Sequence, residues 1–139
     1  ACERADVISA IVGLAGAMIS TDGTGCTPSQ PVSSLHLHGT ADATIGYDGG
    51  TIEGAYPGAI ASVELWADKA GCAATRTAGE PVDLVRDLAG AETQVEVHDD
   101  CPAGVGVELW TIVAGSHIPN LVDVAGDRMF AWLQAHARE

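Results

Sequence analysis

The chain is 139 residues long, 47% hydrophobic and 18% charged, so it has enough apolar matter for a buried core and too little charge for a disordered segment. Its 19 acidic residues against 6 basic ones give a formal net charge of −13. That balance repels phosphate backbones and anionic headgroups, which argues against nucleic-acid and membrane-surface partners. No apolar run approaches the ~18 residues of a membrane span.

The opening Ala1-Cys2-Glu3-Arg4 lacks an initiator methionine, as a processed or truncated product would. Cys2, Cys26, Cys72 and Cys101 permit three pairings. None forms a C-x-x-C pair, which argues against a zinc knuckle or a dithiol redox centre. An even, widely spread set favours two structural disulfides and an oxidising, extracellular compartment. Sequential pairing, Cys2–Cys26 and Cys72–Cys101, closes two separate loops and is the preferred arrangement.

Residues 7–14, VISAIVGL, are an unbroken apolar run rich in β-branched side chains, which suits a strand buried on both faces of a parallel sheet. After a loop broken by Asp22-Gly23 and Pro28, residues 32–38, VSSLHLH, read as a second strand ending at Gly39. The Gly-rich stretch from Gly46 to Gly58 has the composition of a surface loop. From Ile60 to Ala70 apolar residues recur at helical spacing, and Gly71 supplies a stop. Residues 93–98 and 105–113 flank Asp99-Asp100-Cys101-Pro102 and predict a hairpin. A last helix is expected over Val122 to Ala137, its acidic residues early and His136 and Arg138 late. Strands alternating with helices indicate an α/β layered domain.

Two loops are candidates for chemistry. Asp42 follows the second strand just beyond Gly39, and His117 lies in Ala114-Gly115-Ser116-His117, directly after the strand VGVELWTIV. Catalytic groups of open α/β sheets sit beyond the carboxyl ends of strands, and a histidine there is placed for proton transfer. Acid before histidine is the order of the last two members of an α/β-hydrolase triad. Ser116 adjoins His117, but neighbours in a turn rarely present the geometry of a nucleophile and its base. His36 and His38 share one strand face and, with Asp42, could seed a metal site. Further ligands would have to converge from other strands, so packing or hydrogen bonding near the acid loop is the favoured role, and no metal or cofactor is expected. His98 and His136 are expected to be exposed; Trp66, Trp110 and Trp132 are expected to pack in the core.

The run from Pro31-Val32 through Leu35-His36-Leu37-His38-Gly39-Thr40-Ala41-Asp42, followed by Tyr47-Asp48-Gly49-Gly50, resembles the acid loop of polyhydroxybutyrate depolymerase-like and feruloyl esterases. WADKAGC (66–72), CPAG (101–104) and VELWTI (107–112) extend the resemblance over nearly the whole chain. It implies that Asp42 orients a general base, His117. Around that histidine the family commonly reads Gly-Gly-Gly-His-x-Trp-Pro, whereas this chain reads Ala114-Gly115-Ser116-His117-Ile118-Pro119.

The resemblance also implies a fold: the C-terminal portion of an α/β-hydrolase, a mostly parallel sheet with flanking helices, lacking the N-terminal strands and the nucleophile elbow. Residues 1–139 would form one partial domain. No Gly-x-Ser-x-Gly occurs in the 139 residues, so the chain is expected to belong to a carboxylic-ester hydrolase lineage yet be nearly inert alone. Its substrate, once the site is completed, would be a polyester or a phenolic ester. Its partner would be a second copy or an N-terminal segment pairing along residues 8–14. A non-catalytic structural or binding module is the rival expectation.

Overall fold

The computed structural model describes residues 1–18 and 20–138. After a short 3-10 turn at Cys2–Arg4, the elements are β1 (Ala10–Leu14), β2 (Ser33–Gly39), β3 (Gly49–Thr51), β4 (Ala55–Pro57), α1 (Ala59–Ala70), β5 (Arg76–Ala78), β6 (Thr93–His98), β7 (Val107–Ile112) and α2 (Ala125–Ala135). Five strands form one sheet in the order β1-β2-β7-β6-β5, and β3 and β4 form a separate antiparallel pair.

The sheet is mixed, which corrects the α/β-hydrolase fold expected from the sequence. β1, β2 and β7 run parallel, but β6 is antiparallel to β7, and β5 to β6. There are two α-helices among the described residues rather than a parallel sheet with a helix at each crossover. The physical reason lies in the connections. Residues 99–106 alone join β6 to β7, short of the dozen or so a parallel crossover needs. The predicted hairpin is therefore present, and it turns half of the sheet antiparallel.

Other expectations shift at their edges. The apolar run from Val7 yields a strand only from Ala10, and Val7 is 65% exposed. The Gly-rich stretch expected to be loop contains β3 and β4. Gly71 ends α1 in the left-handed conformation at φ 80°, as anticipated, with its N–H returning to the helix carbonyls.

Alternation along the strands divides two apolar layers. Leu35 and Leu37 of β2 and Trp110 and Ile112 of β7 pack with Leu84, Val85, Ala125 and Trp132. Val107 and Leu109 of β7 pack with Ala59, Val63, Ala67 and Ala70 of α1. Every residue of β2 is buried, so the polar Ser34, His36 and His38 that alternate with those leucines are shut away from water as well.

Both preferred disulfides are present, Cys2–Cys26 and Cys72–Cys101. The second ties the residue after the α1 cap to the β6–β7 turn. Each closes a loop that stabilises by roughly 3 kcal/mol in the chain-entropy model. They are compatible with a secreted protein, and among the described residues no helix is long and apolar enough to cross a membrane. His98, expected to be exposed, is 3% exposed at the end of β6, where its Nδ1 donates to the Ala73 carbonyl (2.9 Å) beside that disulfide.

Candidate active site

The parallel pairing of β2 with β7 sets the geometry. Their register matches His38 with Thr111 and Gly39 with Ile112, so both strands end at one level and their loops leave side by side. Backbone bonds lace the loops together: Thr40 N–H donates to Ile112 O (3.0 Å) and Ala41 N–H to Gly115 O (2.9 Å). Ala114 N–H donates to Thr40 Oγ1 (2.8 Å). Ala114 itself holds φ 61°, a left-handed turn that an alanine adopts at a cost of about 1 kcal/mol or more.

The two loops carry Asp42 and His117 to each other. His117 Nδ1 lies 2.9 Å from Asp42 Oδ2. The Asp42 side chain is completely shielded from solvent, while that of His117 is 33% exposed. Asp42 Oδ1 accepts from the backbone N–H groups of Thr44 (2.8 Å) and Ile45 (2.9 Å), an Asx turn that fixes the carboxylate plane. Burial alone pushes the Asp42 carboxyl up. The hydrogen bonds from His117, Thr44 and Ile45 and the charge interaction with His117 outweigh it and hold the group below its ordinary value. As a carboxylate, Asp42 can only accept, so the shared proton sits on His117 Nδ1. That leaves Nε2 as the lone-pair nitrogen, with no protein partner among the described residues.

His36 and His38 join the same network. His38 Nε2 is 2.8 Å from Ile45 O and 3.3 Å from Asp42 Oδ2. His38 Nδ1 is 3.1 Å from His36 Nε2. Tyr47 packs edge-on against the His38 ring, and its hydroxyl bonds Thr111 Oγ1 (2.8 Å). The sequence gives these histidines one strand face; it does not reveal that their rings bond each other and close on the acid loop. Among the described residues no group of three His, Cys, Asp or Glu side chains could hold a metal ion. Ser116 is exposed, and the side chain of its loop that meets Asp42 is that of His117.

A cavity of about 520 Å³ lies between β1, β2, α1 and the N-terminal turn, with Ile11, Ser34, His36, Ser62 and Trp66 among its walls. Neither Asp42 nor His117 lines it. Its connection to them runs through His36.

No family model matches the chain. It is 31% identical over 139 residues to feruloyl esterase B of Piromyces equi, an alignment that takes in 94% of this chain and 23% of that protein. The chain thus spans less than a quarter of the relative's length, and the likeness to an esterase is distant and partial.

Proposed function

We propose that Asp42 and His117 are the orienting acid and the general base of a serine-esterase-type site in a secreted protein. The observation that carries this reading is the 2.9 Å contact between His117 Nδ1 and the shielded Asp42 Oδ2, with Nε2 left on the open side. In such a site Nε2 takes the proton of an attacking hydroxyl as that oxygen bonds to the ester carbonyl, then gives it to the departing alcohol. Asp42 holds the proton on Nδ1 and stabilises the imidazolium between those steps. The similarity to a feruloyl esterase supports a carboxylic ester of the phenolic kind as substrate; a polyester rests on the resemblance of the acid loop alone.

The reading requires a serine nucleophile and oxyanion donors from a further segment of polypeptide. β1 is the place for it. Among the described residues this strand pairs on one side, with β2, so its other edge offers unpaired backbone groups to a further strand. We assign that edge to an upstream segment or to a second copy of the chain.

Hydrolysis of methyl ferulate and of a p-nitrophenyl short-chain ester by the full encoded polypeptide tests the assignment. Turnover suppressed by His117→Ala and by Asp42→Asn supports it. Turnover indifferent to both variants overturns it, and no turnover at all favours a non-catalytic binding module.

A further inference from the structure

We propose that His36 and His38 are positioning residues, forming a hydrogen-bond chain of fixed direction that holds Asp42 toward His117 and keeps the His117 proton on Nδ1. The catalytic consequence rests on the reading of Asp42 and His117 given above. The positional claim stands on geometry alone.

The direction follows from one atom that can only accept. Ile45 O is a carbonyl 2.8 Å from His38 Nε2, so that nitrogen carries the proton. With His36 Nε2 as its partner at 3.1 Å, His38 Nδ1 must then be the acceptor, and His36 the donor. The reverse tautomer of His38 would face a lone pair at Ile45 O and leave a buried acceptor unpaired. Each ring therefore has one allowed tautomer: Nε2–H on His36, Nε2–H on His38, Nδ1–H on His117.

The chain acts on Asp42 in two ways. By holding Ile45 O, His38 fixes the turn whose Thr44 and Ile45 N–H groups grip Asp42 Oδ1. Its Nε2–H also flanks Asp42 Oδ2 at 3.3 Å, the oxygen that receives His117. His38 is 1% exposed and His36 7%, so these dipoles act in a medium where they are stronger than in water. Apolar side chains occupy the alternate positions, Leu35 and Leu37, of the same strand. Two imidazoles in a wholly buried strand are costly unless each is put to use.

Selective ¹⁵N-histidine labelling and side-chain ¹H–¹⁵N correlation of the folded protein at neutral pH test the proposal. The native protein is expected to show the three single tautomers named above. His38 protonated on Nδ1, or His117 protonated on Nε2, overturns the chain without any variant. His38→Gln keeps an N–H donor that reaches Ile45 O, and should retain the His117 Nδ1–H signal. His38→Asn is too short to reach it, and should turn His117 into a tautomer mixture with loss of that signal. An unchanged His117 signal in His38→Asn, or equal loss in both variants, also overturns the claim. With methyl ferulate, His38→Asn should lower kcat with little change in KM while His38→Gln is largely spared. The activity arm uses the full encoded polypeptide; absence of esterase activity there would count against the proposed function and leave the tautomer result to decide the positioning role.

Discussion

Gly39 and Gly115 meet backbone to backbone: a Cβ on Gly39 would overlap the Gly115 carbonyl. That approach lets the loop after β2 accept and return hydrogen bonds with the loop after β7, and so sets the distance between Asp42 and His117. Gly39→Ala should push the loops apart. The clash is with backbone, which cannot rotate away, so a loss on the order of 1–3 kcal/mol of stability is expected. The His117 Nδ1–H signal should be lost with it. Urea denaturation and side-chain NMR check both; an alanine variant with native values for each would refute the tight-approach account.

Asp42→Asn removes the one group that accepts from every side. Thr44 N–H and Ile45 N–H meet Oδ1, and His117 Nδ1 meets Oδ2. Whichever way the amide is turned, its NH₂ opposes a donor. The variant should drive His117 toward the Nε2–H tautomer, which cannot act as a base at that nitrogen. If the proposed function holds, turnover should fall by about 10⁴-fold, the scale known for this change in a serine-protease triad. A folded Asp42→Asn protein with native turnover would show that the carboxylate does not orient the histidine.

Asp42 and His117 are legible in the sequence because each follows a strand-like run and a glycine. Their meeting is not, since residues so far apart come together only through the β2–β7 register, a tertiary fact. Sheet direction is hidden for the same reason: the alternation of Thr93–His98 marks a strand but does not say which way its neighbours run. β3 and β4 escape notice because Gly49, Gly50 and Gly54 give that hairpin the composition of a loop. His98 sits next to Asp99 and Asp100 and so reads as exposed. Its buried surroundings include the Ala73 carbonyl, next to a disulfide that spans 29 residues, a tertiary neighbour the local sequence does not announce.

Glu108 joins two tryptophans from different elements. Its Oε2 accepts from Trp110 Nε1 (2.8 Å) and its Oε1 from Trp132 Nε1 (2.7 Å). The pair fastens α2 to β7 at the edge of the core, where both indoles are nearly buried. Glu108→Ala leaves two indole N–H groups unpaired, and bonds to a charged acceptor contribute about 1.5–3 kcal/mol each. A loss of roughly 2–4 kcal/mol is expected. Glu108→Gln should cost less, because one indole keeps its acceptor. Equal denaturation midpoints for wild type and Glu108→Ala would remove the clamp from the account.

His36 gives stability a pH dependence of known sign. Burial, and to a smaller degree its neighbour His38, pushes the imidazole down from 6.5 to about 4. Below pH 6.5 the unfolded chain takes up a proton that the native His36 refuses. The unfolded state then binds more protons, so stability falls as pH falls from 6.5 toward about 4. The whole effect is about 3 kcal/mol, fully developed only near the lower limit. Asp42 acts in a different window: with its pKa held below 3.8, its contribution is present above that value and is lost as pH falls through its native pKa. His36→Gln keeps a donor for His38 Nδ1 and cannot titrate. Urea midpoints for the wild type should therefore decline between pH 6.5 and 4.5 more steeply than those of His36→Gln, with the two curves converging in slope above pH 7. Parallel curves across the acid range would mean that His36 takes its proton as readily in the folded protein as outside it.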